Sequence, residues 1–136
     1  MDEPPFVDDI TILDSADLWR RINPLWIVPD NNQGELRISS AAFDDSPDGS
    51  PLSMLHAEVV FSTGRTAQDV LSQLPEYSLA SLQAGDARAQ RQAVSRTPTE
   101  EEPAHVSVAG LKTKRVKKAL ASAARWVIGP GNGGGV

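Results

Sequence analysis

The amino-acid sequence predicts one α+β domain, built on a small mixed or antiparallel sheet with two to four helices. Segments with strand periodicity and segments with helix periodicity alternate, but without a regular βαβ rhythm. Long polar loops separate them, and no stretch of sequence repeats. The 136 residues suit a single core, because a chain of this length buries roughly 68–70% of its unfolded surface.

Residues 1–9, rich in Asp and Pro, are expected to form a disordered leader ahead of a domain over residues 10–128. Residues 10–12 are apolar enough for a short strand. Asp14 or Ser15 caps an expected helix carrying Leu18, Trp19 and Ile22 on one face, and Pro24 stops it. Leu25 to Val28 form an apolar run, and residues 29–34 are a loop by their turn residues. Residues 35–39 alternate as a half-buried strand, residues 44–51 form a second polar loop, and residues 53–61 suit a strand. Thr66 caps a helix over residues 67–74, which Pro75 ends. A strand over residues 77–82 and a short helix over residues 84–91 follow, then an acidic loop over residues 97–103 and a strand over residues 105–109. Thr113 caps an amphipathic helix with Val116, Ala119, Leu120 and Ala123 on its core face. Residues 126–128 form a last strand, and residues 129–136 a disordered Gly-rich tail. Trp19, Trp26 and Trp126 are expected to anchor the core, because their apolar area is large.

Composition narrows the function. The chain has no cysteine, which excludes disulfides, thiolate metal sites and a Cys nucleophile. The acidic, Pro-rich start has neither the basic residues nor the apolar run of a signal peptide, and no apolar stretch approaches a membrane span; a cytoplasmic location is expected. Eighteen acids against thirteen Lys and Arg give a net charge of -5, which argues against nonspecific DNA binding. Yet residues 112–125 carry only basic charges. Lys112, Thr113, Lys114, Arg115, Lys117 and Lys118 therefore mark a phosphate- or partner-binding flank at a helix start. Its counterpart would be a partner protein, a nucleotide phosphate, or the acidic loop around Asp44 and Asp48 of another copy.

Two further clusters carry chemistry-bearing residues. Strand residue His105 runs through Gly110 into Lys112 and Thr113, placing an acid–base group near a helix N-terminus. The carboxylates of residues 44–50 precede a Gly but lack EF-hand spacing, so a polar turn is expected there. No metal and no cofactor are expected.

Arg20 and Arg21, then Ser39 and Ser40, then Glu58 resemble the arginine–serine–glutamate pattern of ADP-ribosyltransferase-like domains. That resemblance implies that Arg20 or Arg21 binds a pyrophosphate, Ser39 the nicotinamide ribose, and that Glu58 stabilises an oxocarbenium-like centre. Separately, Leu18-Trp19-Arg20-Arg21-Ile22, Arg37-x-Ser39-Ser40-x-x-Phe43, Asp48-Gly49-Ser50-Pro51-Leu52-Ser53 and Pro103-Ala104-His105 with Gly110-Leu111-Lys112-Thr113-Lys114 resemble a family of short, uncharacterised bacterial cytoplasmic proteins. The first expectation for function is a non-enzymatic interaction or accessory module of a bacterial multi-protein system, bound to a protein partner or a second copy. The alternative is a nucleotide-directed enzyme or binder, with Arg20, Arg21, Ser39, Glu58 and His105 as the catalytic set and Lys112 on phosphate.

Overall fold

The computed structural model describes residues 7–29 and 36–130. It shows an α+β fold, as the sequence predicts, with eight strands and four α-helices among the described residues. The strands are β1 (Asp17–Ile22), β2 (Ile27–Pro29), β3 (Leu36–Ile38), β4 (Leu52–His56), β5 (Ser78–Gln83), β6 (Ala93–Arg96), β7 (His105–Ala109) and β8 (Arg125–Ile128). The helices are α1 (Ala57–Ser62), α2 (Ala67–Val70), α3 (Ala84–Ala89) and α4 (Lys114–Ala123). Six strands form one antiparallel sheet in the order β6-β7-β4-β1-β5-β8, and β2 and β3 form a separate ribbon.

Strand alternation sorts the core into two halves. Leu18, Ile22, Leu52, Met54, Leu82, Val94, Val106 and Val108 share one face and pack with Phe43, with Ala84 and Ala87 of α3, and with Leu120 of α4. Trp19, Leu55 and Leu79 lie on the other face under Val60 of α1, Val70 and Leu71. Two strands run directly into helices, β4 into α1 and β5 into α3.

The structure corrects several expected elements. The segment expected to be a helix around Leu18, Trp19 and Ile22 is β1, paired along its whole length with β5. Both faces of this central strand are covered, so its sequence lacks clean alternation. Pro24 does not end a helix but opens a short 3-10 turn, Pro24–Trp26, capped by the Asn23 side chain. Residues 10–12 form a turn, in which Thr11 donates from N–H and Oγ1 to the Asp9 carboxylate. The strand expected over residues 53–61 ends at His56, where α1 begins. β-Branched Val59 and Val60 mask that helix, because tertiary packing outweighs their propensity. The helix after Thr66 is confined to Ala67–Val70, though its capping box with Asp69 is complete. β6 had no counterpart in the sequence reading.

The leader also differs from expectation. Asp9 N–H donates to Val94 O at 2.8 Å, and Val94 N–H donates to Asp8 Oδ1 at 2.9 Å, so residues 7–9 dock on β6. Arg88 of α3 fastens them, bonding Asp8 Oδ1 at 2.9 Å, Asp14 Oδ1 at 2.7 Å and Asp9 O at 2.9 Å. Residues 1–6, the loop beyond Pro29 and residues 131–136 of the tail lie outside the described residues. Trp19 is buried, while Trp26 and Trp126 are half-buried against the core.

Candidate functional site

The basic segment divides into two groups of cations with different surroundings. Lys112 points inward: its ammonium donates to Val108 O at 2.8 Å and lies 2.9 Å from Asp45 Oδ1. Lys117 reaches Asp44 Oδ2 at 3.1 Å, and this bond holds the Asp44 carboxyl below the usual carboxylate range. The acidic loop of the same chain therefore takes two of the six residues expected to bind phosphate or a partner. Thr113 is a third with a structural role, because its hydroxyl caps α4 by accepting from Val116 N–H at 3.1 Å. The Asp44–Ser50 turn uses its carboxylates internally: Asp48 accepts from Ser50 N–H and Oγ, and Asp45 also accepts from Leu52 N–H.

Lys114 and Lys118 lie four residues apart, on one side of α4. With Arg37 of β3 they line a groove of about 500 Å³ between α4 and the β2–β3 ribbon. Ser39, Ser40 and Trp126 complete the walls that matter chemically. Among the described residues, Arg37, Lys114 and Lys118 make no ion pair with a carboxylate. Arg115 is exposed outside this groove.

A second cleft, of about 320 Å³, opens between β1 and β4. These strands pair only at Leu18 with His56 and at Trp19 with Leu55. Beyond that point Arg20 bridges them, its Nε donating to Ala42 O and its Nη1 to Ser53 O, each at 3.0 Å. The guanidinium carbon sits 5.1 Å from the Trp26 ring centroid, a cation–π contact. Burial, then the neighbouring Arg21 charge, lowers the Arg20 pKa to about 10. Arg21 Nε donates to Val70 O at 3.0 Å. On the far wall His105 Nε2 lies 3.0 Å from Ser53 Oγ, while His105 Nδ1 lies 3.0 Å from Thr97 O. Glu102 also lines the cleft; Arg65, bound to it at 2.9 and 2.6 Å, holds its carboxyl below the usual range.

The residues of the arginine–serine–glutamate pattern thus fall in three places. Arg20, Arg21 and His105 meet in the β1/β4 cleft. Ser39 caps the 3-10 turn at Ser40–Phe43 by accepting from Ala41 N–H, and lines the α4 groove instead. Glu58 is an exposed residue of α1, 3.9 Å from His56 Nε2. Sequence reasoning missed Ser53 and Glu102 as cleft residues. Ser53 opens the strand expected over residues 53–61 and ends the Asp48–Ser53 stretch of the family resemblance, but its placement opposite Ser107 follows only from the β4–β7 register.

Comparison with family models, curated proteins and solved structures finds no match.

Proposed function

We propose that the protein is an interaction module whose α4 groove receives an acidic segment of a partner protein. One observation carries this reading: Lys114, Lys118 and Arg37 line one groove without a carboxylate among the described residues, although the same chain supplies acids to Lys112 and Lys117. Like charges this close repel weakly, and an anionic guest converts that repulsion into attraction. The bacterial, cytoplasmic setting as an accessory subunit is part of this proposal.

The nucleotide-directed alternative draws on Trp126, whose ring borders the same groove beside Ser39 and Ser40 hydroxyls. One experiment addresses both. Fluorescence anisotropy with a labelled Glu-rich peptide, and separately thermal shift with ATP and NAD, is run on the wild type and on the Lys114→Glu, Lys118→Glu double variant. The proposal expects peptide binding that weakens with salt and falls about tenfold or more in the double variant. Binding that ignores both salt and charge reversal rejects it. Stabilisation by a nucleotide, approaching about 2.7 kcal/mol at a hundred times its Kd, favours the alternative.

A further inference from the structure

We infer that Ser53 and His105 form a nucleophile–base pair that accepts an acyl group from a carboxylic ester. This site is separate from the α4 groove, because β4 alternation puts Ser53 on the face opposite Leu52 and Met54, which pack toward α4.

The proton positions follow from donor and acceptor chemistry. His105 Nδ1 lies 3.0 Å from Thr97 O and 2.8 Å from Thr97 Oγ1; the carbonyl only accepts and would repel a bare nitrogen, so Nδ1 carries the ring proton and the Thr97 hydroxyl turns its own proton to Ser107 Oγ. Nε2 is then the bare nitrogen, and the Ser53 hydroxyl at 3.0 Å donates to it. Thr97 is therefore a positioning residue: it fixes the tautomer and the plane of the ring, the role a third group plays in serine nucleophile systems. Its own place is held by Thr97 N–H donating to His105 O at 3.1 Å and by Thr97 Oγ1 lying 2.9 Å from Ser107 Oγ.

The cleft supplies the remaining parts. Arg20, on the Leu18 and Ile22 face, ties the backbone carbonyl of Ser53 and so holds β4 in place, while Arg21 shares the face of Ser53. Among the described residues the two Nη atoms of Arg21 have no hydrogen-bond partner, so this guanidinium retains donors in the cleft. Such donors stabilise a developing oxyanion and suit an ester that carries a carboxylate or phosphate.

The steps balance with water as the only co-reactant. Ser53 Oγ bonds to the acyl carbon while its proton moves to His105 Nε2. The bond from the acyl carbon to the leaving oxygen breaks, and the alcohol departs with that proton. Water then gives a proton to Nε2 and its hydroxyl to the acyl carbon; the carboxylic acid leaves, and Ser53 Oγ recovers the proton.

The test uses the full chain and a fluorophosphonate probe, which phosphonylates an activated serine with loss of fluoride. Intact mass and peptide mapping are expected to show one adduct, on Ser53, absent in Ser53→Ala. Labelling in His105→Gln is expected to slow about a hundredfold or more, the scale of general-base assistance. Wild-type protein in urea breaks the pair without a substitution and gives the same comparison if His105→Gln does not fold. Absence of a Ser53 adduct in the native protein overturns the inference, as does equal labelling of native and urea-unfolded chains.

Discussion

Lys112 Nζ and Asp45 Oδ1 stand 2.9 Å apart, with the lysine side chain only 3% exposed. This pair joins the Asp44–Ser50 turn to the end of β7, because the same ammonium bonds Val108 O and Gly110 O. Lys112→Met removes a buried cation from three acceptors, but the half-buried Asp45 carboxylate stays in contact with water. A loss of about 1–3 kcal/mol is expected in urea unfolding. Binding of the Glu-rich peptide, compared at equal folded fraction, should not change; a tenfold loss would place Lys112 in the binding surface after all.

Acid sensitivity should begin at His56. Arg96 Nη1 lies 3.2 Å from His56 Nδ1, and a guanidinium only donates, so Nδ1 is unprotonated. Burial first, then the Arg96 charge, lowers the His56 pKa from 6.5, with Glu58 and Asp9 opposing in part. Below pH 6.5 the unfolded chain then binds a proton that the folded chain resists. Stability contributed by neutral His56 is present above that pH and declines as pH falls toward the folded value. The slope is at most about 1.4 kcal/mol per pH unit for one proton. His56→Gln should flatten the decline just below pH 6.5 while leaving the deeper loss, in which Asp9, Asp44 and Glu102 with their lowered pKa values protonate. An unchanged slope in that window would contradict the assignment.

Gly110 leaves no room for a side chain. A Cβ there would lie 2.8 Å from the amide atoms of Gln92, which is buried and donates to Gln90 O and Leu111 O. Gly110→Ala should cost about 1–3 kcal/mol by overpacking. Gly110→Ala combined with Gln92→Ala should recover part of that loss, which thermal melts of the three variants would measure; a strictly additive double variant argues against the clash.

Arg88 is the tie between α3 and the leader. Replacing it by Met removes three charge-assisted or carbonyl bonds while keeping the stem, and a loss of about 1–3 kcal/mol is expected. Hydrogen exchange should also quicken at Val94, whose N–H donates to Asp8. Unaltered Val94 protection would mean the leader stays docked without Arg88.

Local signals were readable where one element satisfied its own chemistry. Thr113 announced α4 through its cap, and alternation over residues 105–109 gave β7. β1 was not readable, because Leu18 and Trp19 enter opposite cores and spacing alone suits a helix as well. Arg20, Arg21 and His105 of the cleft were visible as residue types, and Ser53 and Glu102 were not. The register that sets Ser53 beside His105 joins residues far apart in sequence. The basic segment could be seen as an acid-free run, but which of its lysines the Asp44–Asp45 pair would neutralise depended on tertiary approach.

β6 is an outer strand of the six-stranded sheet, and outer strands carry unpaired backbone groups that invite another chain. Here Asp8 and Asp9 occupy groups on that side: Asp8 by its carboxylate on Val94 N–H, Asp9 by its own N–H on Val94 O. Residues 8 and 9 thus cover the Val94 backbone groups on the open side of β6. A protease cut just after Asp9 would release them and leave the Val94 N–H and C=O open to an added strand.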